Sequence, residues 1–157
     1  MNDTIDRQKH EIRFERRLDA SPEDAFDAWT QPEQVTAWWD PTGAPLVACA
    51  IDLRPRGAFR FVTADHAPPF EGTYELIDRP RCLRFQALGA VGVVTFEPRD
   101  HGTLMEVSIR CASNEHFETF LKLGVDQGTR ITLDNLARHL GSRSPGSSAS
   151  RSAVTSP

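Results

Sequence analysis

The segment TADHAPPFEGTY, residues 63–74, holds the side chains best suited to acid–base chemistry in this 157-residue chain. It places Asp65 and His66 in a connection after an aromatic strand, with Glu71 and Tyr74 on the following strand. A histidine titrates near neutral pH, so at the mouth of a pocket it can transfer protons. A solvated loop histidine beside an aspartate is the commoner arrangement, so His66, Glu71 and Tyr74 are weak catalytic candidates.

Motifs for nucleophilic catalysis, metal binding and phosphate binding are missing from the sequence. There is no Gly-x-Ser-x-Gly, no Cys-x-x-Cys and no His-x-x-x-His, and no glycine-rich loop precedes a helix. The cysteines at positions 49, 82 and 111 are far apart and odd in number, which favours free thiols in a reducing compartment. We therefore predict no metal and no cofactor, and a binding role is favoured over an enzymatic one.

Aromatic residues at alternating strand positions indicate an apolar surface that could line a pocket. The pattern places Phe59 with Phe61, and Phe70 with Tyr74 and Leu76, while Phe85 lies on the apolar face of the next strand. Large rings on a concave sheet, opposite small helix residues, are how an apolar ligand pocket is built. The same rings also fit an ordinary core, and both interpretations stay open.

Two glycines in the C-terminal helical segment strengthen the pocket hypothesis. Gly124 and Gly128 are four residues apart and so lie on one helix face, although each costs about 1 kcal/mol relative to alanine. They allow either close packing of the helix on the sheet or a cavity between the two. The candidate ligand-binding residues are Trp38, Trp39, Phe59, Phe61, Phe70, Tyr74, Phe85, Gly124 and Gly128.

The adjacent tryptophans of VTAWWDPTG, residues 35–43, require two different surfaces. Neighbouring helical residues point about 100° apart, and Pro41 pushes Asp40 out of the helical region, so a short helix ends at this pair. We expect one of Trp38 and Trp39 to anchor the short helices on the sheet and the other to face the cavity. The alternative is that both belong to the core.

The elements that must position these residues form an α+β pattern. An alternating strand around Ile12 and Phe14 precedes two short helices, the first of them capped by Ser21. Antiparallel strands follow from residue 46 to 111, and a helix from 117 to 140 carries a break near Gly124. This helix must cover the apolar face of the sheet.

Composition and net charge predict the bounds of the domain and disfavour some classes of partner. We expect residues 1–10 to be flexible, residues 11–140 to form one domain, and the Ser/Gly/Pro-rich residues 141–157 to be disordered. The net charge is −4, which disfavours a nucleic-acid partner. Without a signal peptide or an 18-residue apolar run, the chain is predicted to be cytoplasmic and without stable membrane association. A homodimer stays open.

The elements and several segments resemble the SRPBCC (START, birch-pollen-allergen-like) superfamily, and within it the homologues of the heat-shock protein 90 ATPase activator. The resemblance covers nearly all of residues 14–140. It is carried by the segments SPEDAFDAWTQPEQVTAWWDP, IDLRPRGAFRF, FEGTYELIDRPRCLRF, VTFEPRDHGTLMEV and GVDQGTRITLDNLARHL.

This resemblance implies a helix-grip fold, in which a curved antiparallel sheet with two short helices wraps a long C-terminal helix around an internal apolar cavity. It favours a small hydrophobic or amphipathic ligand. A cyclase- or dehydratase-like reaction on a polyketide-like substrate, or contact with a chaperone, are the alternatives. Two positions depart from relatives: Asp40 stands where glycine is common, and Thr129 where tryptophan is frequent. We expect the loss of that indole at position 129 to enlarge or re-open the cavity.

Overall fold

The computed structural model describes residues 3–65 and 67–142. The described residues form eight strands and four helices, in the order β1 Asp3–Asp6, β2 Glu11–Leu18, α1 Pro22–Thr30, α2 Pro32–Trp38, β3 Ala48–Ile51, β4 Ala58–Val62, β5 Phe70–Asp78, β6 Cys82–Ala87, β7 Ala90–Arg99, β8 Gly102–Arg110, α3 Asn114–Lys122 and α4 Val125–Ser142. The predicted α+β class and helix-grip fold are confirmed.

All eight strands form one curved antiparallel sheet in the order β1-β2-β8-β7-β6-β5-β4-β3. Strands β3 to β8 are the predicted meander, and β2 pairs with β8 on the far side. The prediction that residues 1–10 are flexible is wrong for Asp3–Asp6, which pair with β2 as the edge strand β1. Of the predicted disordered tail, Gly141 and Ser142 end helix α4, and the remainder lies outside the described residues.

The strand β5 departs from simple alternation at a bulge between Tyr74 and Leu76. One extra residue there reverses the side-chain phase. Leu76, predicted to share the apolar face with Tyr74, is therefore exposed, and Ile77 packs against the core instead.

Helix α1 begins and helix α2 ends where the sequence predicts. The Ser21 hydroxyl accepts a hydrogen bond from the backbone N–H of Asp24 at 3.1 Å, which caps α1. Helix α2 ends at Trp38, with Trp39 as its C-cap. The two helices pack on each other and hold the tryptophan pair over the concave face of the sheet.

The predicted break near Gly124 separates α3 from α4. Gly124 has φ +77°, a left-handed conformation that suits glycine and stops α3 from continuing. Beyond it, Leu133, Leu136 and Leu140 are buried along one face of α4, as the sequence predicts. Helix α4 thus covers the concave face of the sheet and closes the space above it.

An ion-pair network centred on the buried Arg16 joins the edge strand to α4. The Arg16 side chain is only 3% exposed and contacts Asp3 at 2.6 Å and Asp134 at 3.3 Å. Arg130 of α4 also contacts Asp3, at 3.0 Å. The hydrogen bonds from Arg16, with those from Arg130, hold the pKa of the Asp3 carboxyl below its usual value despite its partial burial.

Candidate functional site

A cavity of about 260 Å³ lies between the concave face of the sheet, the end of α2 and the α3–α4 segment. No side chain of its lining is charged, and the lining residues that carry a polar side-chain group are Thr129, Thr132, Trp29 and Trp39. The lining consists of Trp29, Trp39, Pro41, Phe70, Phe85, Ala87, Leu88, Ala90, Gly92, Val107, Ile109, Phe120, Val125, Gly128, Thr129, Thr132 and Leu133. Such a surface suits an apolar molecule.

Strand register and one glycine create the floor of this cavity. Phe85 of β6 lies opposite Gly92 of β7. A Cβ atom on Gly92 would lie 2.5 Å from Cζ of Phe85, so the missing side chain lets the ring lie over β7. Gly92 was not singled out from the sequence, because its role depends on which residue pairs with it.

The tryptophan pair divides between core and cavity. Trp38 is 1% exposed, and its Nε1 donates a hydrogen bond to the Ala28 carbonyl at 2.9 Å. Trp39 is partly buried, lies 4.9 Å from Phe61 and 4.8 Å from Phe70 between ring centroids, and lines the cavity. Trp38 therefore anchors the two short helices, and Trp39 is the indole that faces the cavity.

The two helix glycines have different positions. Gly128 lies on α4 and lines the cavity, and a Cβ atom there would meet no atom within 4 Å. Gly124 lies between α3 and α4 and makes the turn, so the prediction that both glycines share one helix face is wrong. Gly124 is not among the residues that line the cavity; its neighbour Val125 is.

A second, smaller void of about 20 Å³ lies behind the aromatic wall of the cavity. Trp38, Phe59, Phe61 and Tyr74 line it but do not line the larger cavity. Four aromatic side chains line both spaces: Trp29, Trp39, Phe70 and Phe85. Of the nine candidate residues, Trp39, Phe70, Phe85 and Gly128 thus contact the cavity directly.

The two catalytic candidates that the structure describes, Glu71 and Tyr74, do not come together around the cavity. The Glu71 side chain is 61% exposed and contacts Arg60 at 2.9 Å on the outer face of the sheet. Tyr74 is buried, and that burial, with a smaller contribution from Cys49, raises the pKa of its hydroxyl. His66 lies outside the described residues. Only Tyr74 of the two described candidates points to the interior.

Several lining residues were missed from the sequence. Thr132 donates a hydrogen bond from its hydroxyl to the Thr129 carbonyl at 2.9 Å, so both threonines are part of one α4 turn beside Gly128. At the rim, Nε2 of His116 lies 3.0 Å from the carbonyl oxygen of Leu88, which joins α3 to the β6–β7 turn.

Neither a metal cluster nor a membrane span occurs in the part of the chain that the structure describes. In residues 3–65 and 67–142, no three His, Cys, Asp or Glu side chains could together hold a metal ion. None of the helices within these residues is long and apolar enough to cross a membrane.

Solved structures similar to this chain share its fold. There are 193 matching chains. A protein of Mycobacterium smegmatis is 19% identical, covers 90% of this chain and 98% of its own, and has a TM-score of 0.78. A protein of Nitrosomonas europaea is also 19% identical, covers 84% of this chain and 94% of its own, and has a TM-score of 0.77.

A third neighbour, an AHSA1-like protein from Aeromonas hydrophila, is 20% identical, covers 84% of this chain and 92% of its own, and has a TM-score of 0.71. At these identities the likeness establishes the fold alone. No curated protein is similar enough to count as a match. Residues 19–141 match the family described as Activator of Hsp90 ATPase homolog 1-like protein. Since the match spans most of its length, the chain belongs to this family.

Proposed function

We propose that the protein binds a small hydrophobic or amphipathic molecule in the cavity between the sheet and α4. The observation that carries this proposal is a space of about 260 Å³ whose lining holds no charged side chain. An apolar cavity of about 150 Å³ accommodates benzene, so this one has room for roughly ten non-hydrogen atoms. A charged molecule would lose its hydration there without gaining an ionic partner.

The free energy for binding comes from the aromatic rings that stay partly exposed. Trp39, Phe70 and Phe85 are partly buried although they pack against the core, and Leu88 at the rim is 59% exposed. A ligand that covers these surfaces removes apolar area from water, at about 25 cal/mol per Å². The open rim also lets a polar end of an amphipathic molecule reach solvent.

Native mass spectrometry of the protein purified from the cells that make it tests this proposal. Gly128→Leu places a four-carbon side chain into the cavity, where a Cβ atom meets nothing within 4 Å. Gly141→Leu is the matched control, because Gly141 lies on the same helix, is exposed and has open space around it. Both variants receive the same side chain in α4.

We expect a bound small molecule in the wild type and in the Gly141→Leu protein, released by organic solvent and lost from Gly128→Leu. Equal occupancy of all three proteins would place the molecule elsewhere and contradict the proposal. The absence of any added mass from all three, under conditions that keep a small apolar probe bound, would also count against it.

A further inference from the structure

The hydroxyl of Tyr74 is a buried donor that has no acceptor among the described residues. Tyr74 is 3% exposed, and within residues 3–65 and 67–142 its hydroxyl makes no hydrogen bond. Its backbone is fully engaged, since its N–H donates to Gly57 and its carbonyl accepts from Arg56. Buried polar groups in folded proteins are nearly always satisfied by protein, water or ligand atoms, so this one calls for a partner.

The space beside Tyr74 has room for one such partner atom. Tyr74 lines the void of about 20 Å³, and the other nine lining residues are apolar or aromatic. A space of about 10–15 Å³ already holds one water-sized atom. The void therefore fits a single oxygen in the midst of aromatic rings.

The remaining polar atoms of this lining are indole N–H groups, and two of the three are already occupied. Trp38 donates to the Ala28 carbonyl, and Trp29 donates to the Met105 sulfur at 3.4 Å. The Trp39 N–H has no acceptor within the described part of the chain. Tyr74 thus supplies a neutral donor among aromatic rings, and such a donor favours an oxygen that accepts.

The void adjoins the proposed ligand cavity through its aromatic wall. Trp29, Trp39, Phe70 and Phe85 line both spaces, so a molecule that contacts these rings in the cavity lies next to the void. For a ligand to use both spaces, a substituent of one atom on an apolar body must pass between these rings toward Tyr74. The body then fills the larger space and the single atom the smaller one.

We propose that the ligand is a neutral molecule with an apolar body of roughly ten non-hydrogen atoms and one carbonyl oxygen, which accepts a hydrogen bond from the Tyr74 hydroxyl. This inference rests on the proposed binding function and narrows it to a chemical class. A purely hydrocarbon ligand would leave the Tyr74 hydroxyl without an acceptor among the described residues.

The test uses two probes that differ by one oxygen atom, indane and 1-indanone, and two proteins, the wild type and Tyr74→Phe. Binding constants are measured by isothermal titration calorimetry, and melting temperatures of the unliganded proteins by calorimetry. Indane is the matched control, because it fills the cavity without offering an acceptor. Tyr74→Phe keeps the ring and its packing against Phe59, whose centroid is 5.1 Å away.

We expect Tyr74→Phe to weaken binding of 1-indanone about tenfold and to leave binding of indane unchanged. The melting temperature of the unliganded variant should equal or exceed that of the wild type, because no protein hydrogen bond is lost. Equal effects of the substitution on both probes would overturn the inference and leave the binding function intact, with water as the partner of Tyr74. A large loss of melting temperature would mean that Tyr74 has a protein partner and would overturn it too. Failure of the wild type to bind either probe would instead defeat the proposed binding function for molecules of this size, and the inference with it.

Discussion

Filling the cavity from α4 should stabilise the protein, which is the opposite of what a large side chain does in a packed core. Gly128→Leu is the perturbation. A Cβ atom on Gly128 meets no atom within 4 Å, and the adjoining cavity measures about 260 Å³. In a well-packed interior, added methylene groups force strain instead and destabilise the fold.

The magnitude combines a backbone effect and a burial effect. Replacing glycine in a helix gains roughly 0.5–1 kcal/mol, and fully burying a leucine side chain gains roughly 1.5–3 kcal/mol. The exposed Leu88 at the rim shows that the cavity is open on one side, so we count about half of the burial gain. The expected increase in the free energy of unfolding is about 1.3–2.5 kcal/mol, or about 3–10 °C in Tm for a chain of this length.

Differential scanning calorimetry with urea denaturation measures this effect, with Gly141→Leu as the control. The exposed Gly141 offers no cavity, so its substitution should gain at most about 1 kcal/mol from helix propensity. A lower Tm for Gly128→Leu than for the wild type, with Gly141→Leu unchanged, would show that no free space adjoins Gly128. The cavity as described would then be wrong.

Three further perturbations test other parts of the structure. Gly124→Ala should lower the free energy of unfolding by about 1–2 kcal/mol, measured by urea denaturation, because alanine is strained at φ +77°; an unchanged value would argue against the turn. Trp38→Phe should lower the free energy of unfolding by about 1–3 kcal/mol, since the Ala28 carbonyl loses its donor. Calorimetric titration with indane should nevertheless give an unchanged Kd. A higher Kd would mean that Trp38 contacts the ligand. Asp3→Asn should cost about 1.5–3 kcal/mol at pH 7 because Arg16 loses a charged partner. The pKa of Asp3 in the folded protein is below 3.8, so the stability that its charge contributes is complete above that pH and is lost as the pH falls further. In urea denaturation, the free energies of unfolding of the two proteins should therefore converge in strong acid. A difference that stays constant with pH would refute the assignment.

Periodicity was enough to predict which strand face carries the four phenylalanines of β4 to β6, but not how deep each ring lies. Phe59, Phe61, Phe70 and Phe85 all lie on the predicted inner face. Only the last two reach the larger cavity, because depth depends on the sheet's curvature and on where α2 crosses it. A single sequence contains no direct record of either.

Sequence signals predicted helix boundaries well where the boundary depends on interactions between neighbouring residues. Ser21 with Pro22 sets the start of α1, and the Asp40–Pro41 step ends α2, because caps and proline act within one turn. The bulge after Tyr74 escaped prediction, since one inserted residue leaves the neighbouring apolar pattern readable in either phase.

Pairings between distant segments set the remaining features. The edge strand β1 is held by Asp3 contacting Arg16 and Arg130, and no local pattern in residues 3–6 announces that network. The need for glycine at position 92 arises from the ring of Phe85, which lies opposite it on the neighbouring strand. Likewise, the lone hydroxyl of Tyr74 becomes visible only when its surroundings are known.

A crystal structure of the protein with 5-bromoindane tests the central claim most directly, because anomalous scattering locates the bromine atom independently of the rest of the map. We predict one bromine peak inside the cavity bounded by Trp39, Phe85 and Gly128, and no such peak in Gly128→Leu. Bromine found only on the outer surface, or at the same position in both proteins, would contradict a ligand site between the sheet and α4.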